Sequence, residues 1–210
     1  MNIKILSDST CDLSPEQLKV HDIDLAKLTV IKDGEAFRDC ETITPAEIFA
    51  HVAAGGALCS TTAYNISEYE ALFSQYADKY DGVIFISLGS GFSSSYQNAC
   101  IAAEDFPNVR VIDSMNLSTG VGLQVIAAAK MAQQGKSVQE IVAHIEHIRP
   151  LVRASFVVDT LTYLHRGGRC SGAAALVGST LKLHPRIAVS EGKMSPGKKY
   201  RGKMDRVILS

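Results

Sequence analysis

Short apolar runs alternate with segments of helical period over the first 148 residues of this 210-residue chain. Residues 3–6 read as a strand that stops at Ser7-Asp8-Ser9-Thr10, and Ser14-Pro15 then opens a helix with proline at its first position. Residues 24–31 read as a second strand, turning at Asp33-Gly34. Thr44-Pro45-Ala46-Glu47 has the spacing of a capping box, and the helix it starts is broken at Gly55-Gly56. A helix over 66–76, a strand over 83–88, a helix over 94–106 and a strand over 109–112 follow. Two helices, 117–134 and 138–148, close the stretch. The alternation predicts an α/β fold, a three-layer α/β/α domain with a parallel or mostly parallel sheet in the middle.

Arg149-Pro150 marks a boundary. Past it the pattern predicts a strand over 154–158, a short helix over 160–165, a tight turn at Gly167-Gly168-Arg169, a helix over 171–181 and a strand over 185–189. Two domains are therefore expected: residues 1–150, and a second, smaller and here shortened α/β lid over 151–210. Charge divides at nearly the same place. Residues 1–148 carry 9 Lys and Arg against 19 Asp and Glu, a net −10, whereas 149–210 carry 12 against 3, a net +9. The basic cluster Lys193, Lys198, Lys199, Arg201, Lys203 and Arg206 surrounds Ser195-Pro196-Gly197 and reads either as solvated loop or as a docking surface. It has only Tyr200 for base stacking and matches no DNA or RNA module, so nucleic acid is not an expected partner.

The five cysteines are scattered, with no Cys-x-x-Cys and no Cys/His spacing for a metal, so reduced thiols and no metal or other cofactor are expected. No segment is long and apolar enough for a signal peptide or a bilayer span, which points to the cytoplasm.

Candidate chemistry gathers where strands end. The apolar run 83–88 feeds Gly89-Ser90-Gly91-Phe92-Ser93-Ser94-Ser95, a hydroxyl-rich turn opening a helix. A helix start offers unpaired N–H groups and partial positive charge, glycine admits a ligand, and serines add donors, so the junction suits an anion; an ordinary serine N-cap is the simpler alternative. Open α/β sheets bind ligands beyond the carboxyl ends of their strands. Those ends here supply Ser9, Thr10, Thr61, Thr62, the serines from Ser93 to Ser95, and Ser114, a ring that fits a carboxylate or phosphate. Asp8, Asp12 and Asp113 could flank it as acid or base, or simply orient loops. A serine-loop hydrolase or phosphotransferase acting on a small anionic substrate is the rival reading, although no Gly-x-Ser-x-Gly elbow is present. Gly135-Lys136-Ser137 lacks the earlier glycine of a phosphate loop, and His144 and His147 lie three apart on a helix face that is expected to be solvated.

Five ordered segments carry a resemblance: Ser7-Asp8-Ser9-Thr10-Cys11-Asp12-Leu13; Thr61-Thr62 ahead of a helix with Tyr69; Gly91 through Ala99; Asp113-Ser114; and Asp159 through Arg169. Together they are similar to the motifs of the DegV family of fatty-acid-binding proteins, over nearly the whole chain. The resemblance implies a non-catalytic carrier whose two domains enclose one long-chain fatty acid, with the carboxylate met by Thr61 and Ser93. Ser9, Thr62, Ser94, Ser114 and Arg169 would support that site. It also implies a partner, a dihydroxyacetone-kinase-like fatty acid kinase that makes the acyl-phosphate used in phospholipid synthesis; the basic segment 193–206, with Arg201, is the docking surface expected for it. The chain departs from the pattern in two loops. The usual Thr-Ser-Gln-Pro-Ser reads Thr61-Thr62-Ala63-Tyr64-Asn65, and Leu-Ser-Gly-Thr reads Phe92-Ser93-Ser94-Ser95. Family members also run on past the basic segment and bring a further histidine to the head group, for which no residue here stands; another molecule or further chain is expected to cover the tunnel.

Overall fold

The computed structural model describes residues 1–158, 160–170, 183–202 and 204. The first half runs β1 (Ile3–Asp8), a 3-10 turn (Ser9–Cys11), α1 (Pro15–His21), β2 (Ile23–Ala26), β3 (Thr29–Lys32), β4 (Glu35–Arg38), α2 (Pro45–Ala53), β5 (Ser60–Thr62) and α3 (Ile66–Ala77). It continues with β6 (Gly82–Ser87), α4 (Ser95–Ala103), β7 (Val109–Asp113), α5 (Thr119–Gln133) and α6 (Val138–Ile148). A 3-10 turn (Arg149–Leu151), β8 (Ser155–Val157), α7 (Thr162–Arg166), β9 (Leu183–Ser190) and β10 (Lys193–Arg201) follow.

Strands β2, β1, β6 and β7 form a sheet in that order, every neighbouring pair parallel. β1 and β6 are buried along their whole length, so β6 reads as an apolar run rather than an alternation, while β1 is interrupted by Lys4, whose buried ammonium pairs with Asp22 and Asp24. Their side chains still separate by face. Ile5, Ile84 and Ile86 pack with Val121, Val125, Ile141 and Ile145 of α5 and α6, while Leu6, Val83 and Phe85 pack with Tyr69, Phe73 and Ala99 of α3 and α4. The three-layer arrangement with a parallel sheet is the one the alternation predicts. Capping boxes at Ser14, Thr44, Asn65 and Ser137 set the starts of α1, α2, α3 and α6.

Two smaller antiparallel sheets, β4-β3-β5 and β10-β9-β8, flank this body and correct two expectations. Residues 24–31 are not one strand: β2 ends at Ala26 in the parallel sheet, and β3 starts at Thr29 in another sheet. The break falls where the Leu28 N–H donates to Ser9 Oγ (3.3 Å) instead of continuing a ladder. The basic segment is not loop over its described part. Residues 193–201 form an edge strand, joined to β9 by a turn at Glu191-Gly192, both at positive φ (51° and 70°) as a tight hairpin requires. Pro196 lies where the register shifts between Pro196 and Lys199, so the proline and glycine that read as a breaker occupy a bulge on an edge. The helix expected over 171–181, with Lys203 and Arg206, lies outside the described residues.

The hairpin closes on the serine turn. Leu88, Phe92 and Val189 form a buried cluster with Leu117, Ala154 and Met194 partly buried around it. A side chain at Gly91 would run into the Gly192 carbonyl, so the turn after β6 and the turn between β9 and β10 touch backbone to backbone.

Candidate functional site

The carboxyl ends of β1 and β6 open on a cleft of about 600 Å³. Thr10 and Asp12 after β1, Thr61 and Thr62 on β5, and Ser93 and Ser94 before α4 give it hydroxyl and carboxylate walls. Arg169, from the turn after α7, and Met194 of β10 reach it from the C-terminal segment. Of the residues singled out by sequence, Thr61, Thr62, Ser93, Ser94 and Arg169 thus line one space. Two do not. Ser9 is 4% exposed and its hydroxyl donates to Asp39 Oδ2 at 2.6 Å, so it holds a wall of the cleft from behind. Ser114 is fully buried and closes its own turn, accepting from Asn116 N at 3.1 Å. Arg201 is exposed at the end of β10 and lines neither this cleft nor the one described next.

Asp12 and Asp113 orient loops. Asp12 accepts from Ser118 Oγ at 2.5 Å, and Asp113 accepts from Ser90 Oγ at 2.6 Å and Met115 N at 2.8 Å. Asp39 follows the short, partly exposed strand β4, and nothing local in the sequence marks it. Thr10 belongs to the predicted ring, and its Oγ1 is buried with no hydrogen-bond partner among the described residues.

Sequence left an N-cap as the simpler reading of the serine turn. In the structure Ser94, the N-cap of α4, makes no side-chain cap bond. Instead Ser93 Oγ accepts from Ser95 N at 3.2 Å and lies 3.0 Å from Ser95 Oγ. Behind Ser95 stands Asp8, fully buried, accepting from Tyr69 OH at 3.1 Å, Ser87 Oγ at 3.2 Å and Leu88 N at 2.6 Å. Burial pushes the Asp8 carboxyl up to about 6, with these bonds and Ser95 pulling the other way.

A second, apolar cleft of about 630 Å³ continues from the first. Ile48, Phe49 and Val52 of α2, Leu58 ahead of β5, and Tyr163 of α7 line it, and it shares Thr61 and Arg169 with the polar cleft. Phe49 is 73% exposed and α2 buries no residue, so an apolar helix face stands uncovered here. Behind β5, Arg38 joins its neighbour β3 to α3: its Nη1 donates to Thr29 Oγ1 (2.9 Å) and its Nη2 to Glu68 (2.5 Å). Among the described residues no three His, Cys, Asp or Glu side chains come together as metal ligands, and no helix is long and apolar enough to cross a membrane.

A parallel sheet with helices on both faces, and a hydroxyl-lined cleft beyond its strand ends, places the chain among layered α/β proteins. A family model described as an uncharacterised protein of the DegV family matches residues 2–207, and the chain belongs to that family. It is 33% identical over 203 residues to a DegV domain-containing protein of Deinococcus radiodurans, covering 96% of this chain and 72% of the relative. The fold matches a DegV family protein from Thermus thermophilus, described for its fatty acid binding, with a TM-score of 0.90 and 32% identity over 96% of this chain and 72% of that one. It also matches a stearic acid-binding protein from Eubacterium ventriosum with a TM-score of 0.86 and 29% identity, covering 97% of this chain and 72% of the other.

Proposed function

We propose that this protein binds one long-chain fatty acid, its carboxylate at Thr61 and Ser93 and its acyl chain along the uncovered face of α2. One observation carries the reading: a polar cleft and an apolar cleft meet at Thr61 and Arg169, so the cavity has the two-ended chemistry of an amphiphile. The fatty acid binding described for the Thermus thermophilus relative supports it. Each buried methylene is worth about 0.8 kcal/mol, so ~15 of them gain on the order of 10 kcal/mol before ordering costs. Arg169 supplies the cation for the head group, Thr62 and Ser94 add hydroxyls, and Ser9 braces Asp39.

The same reading makes the protein a non-catalytic cytoplasmic carrier of two parts, divided near residue 150. Its bound acid is handed to a separate dihydroxyacetone-kinase-like fatty acid kinase, and Arg201, exposed on the edge strand, belongs to the kinase-docking face. The test separates the two arginines. Fatty acid affinity and kinase-dependent phosphorylation are measured for Arg169→Ala and Arg201→Ala. Arg169→Ala should weaken the acid about tenfold or more, as loss of a charge-assisted bond does. Arg201→Ala should bind the acid normally and be phosphorylated poorly. The opposite pattern would reverse these roles.

A further inference from the structure

We propose that a third cleft, between the end of α6 and the outer face of the sheet β10-β9-β8, binds a phosphate monoester of a small polyhydroxy compound. The site is separate from both clefts of the fatty-acid reading and does not depend on that reading.

This cleft has a volume of about 640 Å³ and shares no lining residue with the other two. Three guanidinium groups reach it from three places: Arg149 where α6 passes into the 3-10 turn, Arg153 ahead of β8, and Arg186 on β9. Strand pairing explains why cations collect on this side. Val157 pairs with Arg186 and Ser155 with Ala188, and cross-strand partners share a face. Phe156 and Ile187, one residue along, point the other way and pack with Leu161 and Cys170. Ser190 pairs in turn with the exposed Lys193, which extends the cationic face to its rim. Arg186 lies beside Gly197 in the bulge of β10, where a Cβ would touch its Nε and Nη2, so the missing side chain leaves the guanidinium uncovered. Toward the serine turn the cleft is sealed: Val189 belongs to its wall, while Leu88 and Phe92, packed against Val189, belong to the wall of the polar cleft.

The guanidinium groups are not satisfied from within the protein. Among the described residues none of the three forms an ion pair, although Glu146 and Glu191 stand in the same walls, and these carboxylates are unpaired as well. Arg149 Nη1 donates to Asp113 O at 3.1 Å, which holds that side chain at the cleft and leaves its other donors open. The guanidinium groups of Arg153 and Arg186 make no hydrogen bond to a described residue. A planar fork of N–H donors matches two oxygens of a phosphate, and a dianion can take forks from more than one arginine. Carboxylates only accept, so Glu146 and Glu191 select a ligand whose other end carries hydroxyl donors. A volume of this size suits such a molecule better than a bare phosphate ion.

The test is calorimetric titration of the whole chain with ribose 5-phosphate, inorganic phosphate and ribose in about 0.1 M salt. Ribose 5-phosphate should bind one to a chain, inorganic phosphate more weakly, and ribose not at all. Arg153 and Arg186 are exposed, so Arg153→Ala and Arg186→Ala should keep the thermal unfolding midpoint. Each should weaken both phosphates about tenfold or more, as loss of a charge-assisted bond does. Arg186→Lys, which keeps the charge and loses the fork, should restore only part of the affinity. Glu146→Gln should narrow the advantage of ribose 5-phosphate over inorganic phosphate. Wild-type protein that binds neither phosphate, or alanine variants that bind both as the wild type does, would overturn the proposal. So would full affinity in Arg186→Lys, which would make the face a diffuse cationic surface. Sedimentation with phosphatidate vesicles, without binding of ribose 5-phosphate, would make it a membrane contact and equally overturn the cavity ligand.

Discussion

The two clefts that meet at Thr61 and Arg169 are built in opposite ways. Around the polar cleft several groups are held by another: Asp12 by Ser118, Asp39 by Ser9 and Ser93 by Ser95, beyond the ends of two strands buried along their length. The apolar cleft is wired more sparsely, with His51 of α2 hydrogen-bonded to the Ala57 carbonyl at 3.0 Å. Its main wall is α2, which is fixed at its N-terminus by a capping box and buries none of its residues, beside a three-residue strand that is exposed throughout. Directional bonds need donors placed to a few tenths of an ångström, whereas apolar burial is non-directional and tolerates a loose wall. On the proposed reading, head-group discrimination belongs to the polar cleft, the floor of the site, and affinity to the apolar wall, with Thr61 of β5 at their junction.

The largest effect should come from the wall. Laurate has four fewer methylenes than palmitate, which costs about 3 kcal/mol or roughly a hundredfold in affinity if the whole chain is buried. Phe49→Glu places a charge in that wall and should erase most of the difference, since Phe49 is exposed and its loss leaves the core intact. Competition titration of the two acids against both proteins measures this. Equal affinity of the wild type for laurate and palmitate would move the acyl chain out of this cleft.

Changes to the floor should be smaller and should act on the head group alone. Ser93→Ala and Thr61→Val each remove a donor to a charged group, worth roughly 1.5–3 kcal/mol, or about tenfold to a hundredfold. Methyl palmitate should bind wild type poorly and be nearly indifferent to either substitution. If the ester tracks the acid through both variants, these hydroxyls do not read the carboxylate and the division between floor and wall is lost.

What the sequence made legible follows the same division. β6 stands out because burial on both faces leaves a nearly continuous apolar run, and the proline after Ser14 and the capping spacing at Thr44 mark helix starts that the structure keeps. Ser60-Thr61-Thr62 was read as a hydroxyl stretch and not as a strand, because three polar residues carry no period; β5 exists by pairing with β3, with Val30 opposite Thr61. Ser9 and Ser114 sit at strand ends as the pattern expects, yet whether a hydroxyl is free depends on neighbours distant in sequence, and Asp39 is thirty residues from Ser9. Asp8 shows this most sharply. Its donors Tyr69, Ser87 and Leu88 lie 61, 79 and 80 residues away, so its burial and its raised pKa have no local signal. β10 was hidden by Pro196 and Gly197, which mark a breaker in isolation and a bulge once β9 is beside them.

The central claim, that the joined clefts hold a fatty acid, is tested most directly by extracting the purified protein with organic solvent and quantifying lipid by mass spectrometry against protein concentration. Burial of about fifteen methylenes retains a ligand through chromatography, so the extract should contain a long-chain fatty acid at about one per chain. Phe49→Glu prepared in parallel should carry much less. Preparations that contain no stoichiometric fatty acid, from protein that also fails to bind added palmitate, would contradict the account.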